Sequence, residues 1–118
     1  MIKQGDIFLV NLDPTIGHEI RKTRPAVVVS NNYINCYGKV LVIVPLTSNT
    51  QNVSPSQVVI PKGAGGLDKD SKAVADHIKS VDKQRLANKI GSLPPELLQL
   101  ILGAMDNTFK VLSYPKTL

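Results

Sequence analysis

Residues 7–12 (IFLVNL), 27–30 (VVVS), 40–44 (VLVIV) and 57–60 (QVVI) are apolar runs of strand length, rich in β-branched residues. Each is bounded by residues that end regular structure. Asp13-Pro14-Thr15 and Gly17 break the first, Pro45 closes the third, and Pro61-Lys62-Gly63 stops the fourth. Arg24 precedes Pro25, so its backbone is held extended as the second run begins. Asn31, Asn32 and Asn35 punctuate a connector with room for one helical turn. Residues 71–75 and 76–81 add one or two further strands. Residues 82–86 start a short helix with Asp82 as N-cap, ended by Gly91. None of these runs approaches the length of a membrane span.

The pattern changes once, at the end. Pro94-Pro95-Glu96 marks a helix start. Leu97, Ile101, Met105 and Phe109 then recur at four-residue spacing, and Leu98, Leu102 and Leu112 widen that face. Leu100 and Ala104 make the first turns apolar over most of their circumference, so the helix needs cover on more than one side. Its own sheet and a second copy of the chain would supply that cover, which predicts a homodimer; a deeply buried monomeric helix is the alternative. Strands first and helices late argue for a β-rich α+β fold in one domain, residues 1–118, rather than alternating βαβ units. The specific expectation is a small, strongly curved barrel with a short helix and a C-terminal helix packed on it.

Composition narrows the chemistry. The formal charge of +5 suits a polyanionic partner. Arg21, Lys22 and Arg24 form one basic cluster and Lys79, Lys83, Arg85 and Lys89 another. The single Cys36 excludes an internal disulfide and a cysteine-based metal site, and reads as a structural residue rather than a nucleophile. The N-terminus enters strand-like alternation without a secretory signal, so a cytoplasmic location is the default. The GAGG at residues 63–66 lacks the Lys-Ser/Thr ending of a phosphate loop and reads as a flexible linker.

The densest chemistry lies at residues 18–30, HEIRKTRPAVVVS, where titratable and phosphate-binding side chains crowd the mouth of a buried strand. His18 and His77 have no HExxH or Cys/His spacing, no GxSxG elbow is present, and no cofactor fingerprint stands out. What remains is a metal-free set. Glu19 and Asp76 are candidate bases, Arg24 is a fixed cation, Thr47 and Ser48 are small hydrogen-bonding groups, and His18 is a further candidate for moving a proton. Such a set suits a reaction whose nucleophile belongs to the substrate, as in RNA cleavage by its own 2′-hydroxyl. The same residues also fit a solvated loop before a core strand, with Glu19 paired to Lys22 or Arg21 and Thr47 capping a strand end.

GDIFLVNLDPTIGHEIRKTRPAVVVS, then VPLTSN, then VADHIKSVDKQRL resemble the successive signature blocks of the MazF/PemK (Kid) toxin family over nearly the whole chain. The resemblance implies an SH3-like barrel (MazF/CcdB-like), a homodimer, and a metal-independent endoribonuclease that uses no cofactor. Such an enzyme cuts single-stranded RNA to 2′,3′-cyclic phosphate and 5′-hydroxyl ends. It also implies a MazE-like antitoxin whose C-terminal segment covers the RNA groove, and contact with operator DNA only through the antitoxin complex. Arg24, Thr47 and Glu19 carry over as catalytic residues. His18, Lys22, Ser48, Asp76, His77 and Lys79 are the candidate substrate-binding residues. Some relatives pair a loop histidine and a later aspartate with an arginine two residues before that aspartate; Val74 stands there in this chain.

Two other readings are open. One is a toxin of the same fold that poisons DNA gyrase, as CcdB relatives do with a tryptophan near the C-terminal end; this chain has no tryptophan. The other is a non-catalytic nucleic-acid-binding barrel, for which three tyrosines and two phenylalanines offer little stacking surface.

Overall fold

The computed structural model describes residues 1–19 and 22–111. Arg21 of the first basic cluster and Leu112 of the helical face lie outside the described residues. The strands are β1 (Asp6–Asn11), β2 (Thr23–Val28), β3 (Val40–Thr47), β4 (Gln57–Ile60), β5 (Ser71–Val74), β6 (Lys79–Asp82) and β7 (Leu86–Ser92). The helices are α1 (Asn32–Tyr37) and α2 (Pro95–Phe109). The strands form one antiparallel sheet in the order β4-β5-β3-β2-β1-β7, with β6 also paired to β3. This is the β-rich α+β fold with a short and a C-terminal helix that the sequence predicts. The sheet is curved and left open rather than closed into a complete barrel.

The curvature follows from one edge of β3. Residues 40–43 pair with β6 and residues 46–47 with β5, and a 3-10 turn at Ala75–His77 carries the chain between the two. Alternating side chains then fill two cores. Ile7, Val27, Val44 and Leu46 face α2, which lays Ile101 onto them with Leu97, Leu102 and Met105 alongside. Phe8, Val10, Leu12, Ala26, Val28, Leu41, Ile43 and Val81 form the second core, against which Ile2 and Leu86 pack. Phe109, expected on the buried stripe of α2, is 67% exposed. Among the described residues no helix is long and apolar enough to cross a membrane.

Four expectations need correction. Pro45 does not close β3. Val29 N–H donates to Val42 O at 3.0 Å, and Val42 N–H donates to the Ser30 hydroxyl, so even-numbered residues of β3 bond toward β2. Pro45 therefore turns its missing N–H to the other side, into the gap where β6 has ended and β5 has not begun. Gly91 does not end a helical unit: only Lys83–Arg85 is helical, capped by Asp82 Oδ1 on Gln84 N–H (2.8 Å), and β7 follows. The GAGG segment is packed rather than a linker. A Cβ on Gly65 would meet Ile7, one on Gly66 the Ile90 carbonyl, and one on Gly91 the Gly65 carbonyl. Cys36, finally, is exposed on α1 rather than buried as a structural residue.

Candidate nucleic-acid interface

Rows of cross-strand neighbours on the face of this second core run from core to rim. Val28 stands opposite Ile43, itself opposite Lys79; Phe8 opposite Ala26, itself opposite Pro45. In the next row Val10 stands opposite Arg24 and Thr47 opposite Lys72. Hydrogen-bonded pairing of β2 with β3 stops at Ala26–Pro45, because the next residue of β2 to face β3 is Pro25, which has no N–H to give the Leu46 carbonyl. Carrying the register one step further sets Arg24 against Thr47. The unzipped seam is a cleft of about 180 Å³ lined by Arg24, Pro25, Leu46, Thr47, Ser48, Leu67, Asp68, Lys69 and Ser71.

A second, larger cavity of about 500 Å³ adjoins it along β3. Its lining includes Leu12, Ile16, His18, Glu19, Pro45, Asp76, His77, Ile78 and Lys79. Pro45 and Thr47 lie on one face of β3, two residues and about 7 Å apart. The two cavities are thus successive stations on one path. The structure brings eight of the nine sequence-predicted residues to this path: Arg24, Thr47 and Ser48 at the first station, His18, Glu19, Asp76, His77 and Lys79 at the second.

Lys22 lines neither station. Its backbone, at φ +65°, closes the neck of the loop that joins β1 to β2. Leu12 N–H donates to Lys22 O (3.0 Å) and Lys22 N–H to Asp13 Oδ1 (3.0 Å). At the tip, Glu19 Oε1 accepts the Ile16 N–H at 2.9 Å and Glu19 N–H donates to Ile16 O, a self-closed turn that orients the carboxylate. Thr47 Oγ1 accepts from Asn49 N–H at 3.3 Å, which directs the hydroxyl while leaving it a proton to donate. Asp76 and His77 ride on the 3-10 turn between β5 and β6, held by Ala75 N–H to Ser56 O and Ile78 N–H to Ala75 O. Among the described residues no three His, Cys, Asp or Glu side chains gather as a metal-ligand group.

The second basic cluster does not act as one patch. Lys79 lines the larger cavity, Arg85 bonds backbone carbonyls, and Lys89 pairs with buried Asp6 at 3.4 Å. Lys72 is the residue that sequence reasoning missed. Only 8% exposed, it sits opposite Thr47 and donates from Nζ to Gln51 O at 2.7 Å, tying down the loop after β3. A lysine amid the apolar positions of SKAV was its signal, since a buried ammonium requires a partner.

The small bent sheet thus carries an unzipped seam with cations and hydroxyls at its lip and carboxylates beside it. Residues 3–109 match the family model described as PemK-like, MazF-like toxin of type II toxin-antitoxin system, and the chain belongs to this family. It is 42% identical over 106 residues to endoribonuclease MazF9 of Mycobacterium tuberculosis, covering 85% of this chain and 90% of that protein. It is 27% identical over 115 residues to endoribonuclease EndoA of Bacillus subtilis, covering 97% and 99%. The crystal structure of MazF (Form-I) from Deinococcus radiodurans superposes with a TM-score of 0.78 at 27% identity, over 90% of this chain and 94% of that one. A mycobacterial endoribonuclease in complex with its cognate antitoxin shares the fold, with a TM-score of 0.77 at 23% identity over 98% and 100%.

Proposed function

We propose that this toxin is a metal-independent endoribonuclease that cuts single-stranded RNA through the substrate's own 2′-hydroxyl. The observation that carries the reading is the cleft at the β2–β3 seam, where Arg24 and Thr47 share one row beside the cavity that holds Glu19. Glu19 takes the 2′-proton, and the alkoxide attacks the adjacent phosphorus. The planar guanidinium of Arg24 grips the equatorial oxygens as charge develops, while the Thr47 hydroxyl, aimed by its bond from Asn49, orients one of them. A guanidinium keeps its proton throughout the range in which RNA is cleaved, so Arg24 acts by charge and not by proton transfer. The P–O5′ bond then breaks, the leaving 5′-oxygen takes a proton from water, and the products are a 2′,3′-cyclic phosphate and a free 5′-hydroxyl.

Ser48 supports the phosphate. His18, Asp76, His77 and Lys79 hold the neighbouring nucleotide, with the Asp76 carboxylate accepting from an amino group on a base edge. Lys22, exposed at the loop neck, adds positive charge to the approach. A MazE-like antitoxin segment covers this path, a reading supported by the family and by the mycobacterial neighbour's cognate complex. Operator DNA is reached only through that complex. A second copy of the chain covers the outer side of α2, where Leu100 is 56% exposed and nothing crowds Gly103; sedimentation of Leu100→Arg against wild type checks this. A cytoplasmic location follows from an RNA target.

The deciding experiment incubates a long single-stranded RNA with wild type and Arg24→Ala in excess chelator, identifies the 3′ ends, and includes a matched substrate with a 2′-deoxy sugar at the cut. Discrete cuts ending in cyclic phosphate, absent in the mutant and at the deoxy site, are expected. Cleavage that survives the deoxy sugar would overturn the mechanism. A folded protein that cuts nothing would favour gyrase poisoning or binding alone.

A further inference from the structure

The VDKQRL block supplies no side chain to either station of the path, yet one of its residues reaches the loop that carries Glu19. Leu86 pairs with Val10 near the end of β1, which places Arg85 beside the point where the chain leaves the sheet. From there one guanidinium nitrogen, Nη1, donates to Asn11 O at 3.1 Å and to Asp13 O at 2.5 Å. These carbonyls belong to the last residue of β1 and to the loop just beyond it. Asp13 N–H donates to Asn11 Oδ1 at 3.1 Å, and the returning side of the neck bonds to Leu12 and Asp13 through Lys22. Arg85 thus holds the outgoing side of a neck whose other side leads, two residues after Lys22, to Arg24.

We infer that Arg85 is a positioning residue: by holding the neck of the β1–β2 loop it fixes where Glu19 and His18 stand relative to Arg24 and Thr47. This rests on the functional reading above for its activity arm. The sequence groups Arg85 with Lys79, Lys83 and Lys89 in a basic cluster, which would suit a phosphate contact, and the two roles separate by measurement. A phosphate contact contributes to binding, so its loss raises KM and flattens the salt dependence of RNA affinity. An anchor contributes to geometry, so its loss lowers kcat with little change in KM.

The test compares wild type, Arg85→Ala and Arg85→Lys by single-turnover cleavage over a range of salt, together with amide hydrogen exchange. Arg85→Ala is expected to lower kcat by roughly tenfold to a hundredfold with KM near wild type. Exchange at Leu12 and Lys22 should speed up while amides of β3 keep their protection. Arg85→Lys, which retains three donors and the charge, should recover a large part of the loss. A raised KM with a reduced salt slope, or unchanged kcat, would overturn the inference. Should Arg85→Ala lose protection throughout the sheet, Arg85→Lys decides: wild-type exchange at Leu12 and Lys22 but a kcat as low as other Arg85 variants would overturn it. Wild type that does not cut RNA would sink the functional reading alone, since the exchange comparison stands without it.

Discussion

Thr47 stands directly opposite Lys72 in the antiparallel pairing of β3 with β5, so a hydroxyl at the lip of the seam has a buried cation as its cross-strand neighbour. The Lys72 ammonium holds the Gln51 carbonyl and with it the loop that begins at Ser48. Lys72→Met keeps the apolar stem and removes both the charge and that bond. Single-turnover cleavage is expected to slow roughly tenfold, with stability shifted by no more than about 1–3 kcal/mol because a carbonyl, not a charge, is left without its donor. Thermal unfolding alongside the cleavage assay separates the two effects.

Thr47 itself makes a sharper prediction. Thr47→Val keeps the shape and β-propensity of the strand end but has no hydroxyl, whereas Thr47→Ser keeps the hydroxyl. Thr47→Val should lose roughly a hundredfold in kcat and Thr47→Ser less than tenfold. Equal losses in the two would mean that the side chain acts through packing.

Asp6 links stability to acid. Burial alone would raise its pKa, but the Ser92 hydroxyl at 2.6 Å, the Lys3 N–H at 2.9 Å and the Lys89 ammonium outweigh it and hold the carboxyl below its usual range. A depressed folded-state pKa stabilises the fold above the unfolded value, about 3.9, and that contribution disappears as pH falls through the folded one. Asp6→Asn should therefore be less stable than wild type at neutral pH, with the gap narrowing steadily in acid below about pH 4. Urea unfolding of both proteins over that range reads it directly.

The glycine segment is testable as packing. A Cβ at Gly91 would run into the Gly65 carbonyl, and Gly65 itself sits at φ +60°. Gly91→Ala is expected to cost about 2–3 kcal/mol, measured as a lower thermal midpoint. A flexible linker at residues 63–66 would make the same substitution neutral.

What the sequence revealed and what it hid have separate physical causes. β1, β4 and α2 were legible because one continuous apolar pattern defined each. β7 was not: Ala87, Asn88 and Lys89 interrupt LANKIGS, and the strand exists through its pairing with β1 rather than through its own propensity. Pro45 reads as a stop only if both edges of its strand are assumed to be paired at that residue. The site's residue types were legible in the loop and in the PLTS and ADH segments. Their division between two stations was not, because it depends on the register across β2 and β3. The placement of Lys72 was hidden for the same reason, since nothing in the linear order of residues sets it beside Thr47.

Pro25 gives the fold a property that contacts alone do not reveal: here an opening is produced by a missing atom. Any amino acid with a backbone N–H could, in that extended conformation, offer the Leu46 carbonyl a donor that proline cannot and let β2 and β3 zip one pair further. Pro25→Ala is thus expected to gain a protected amide at position 25 while cleavage falls, so that order and activity move in opposite directions. Selection for a better-paired sheet and selection for a working groove would pull on this single position with opposite sign.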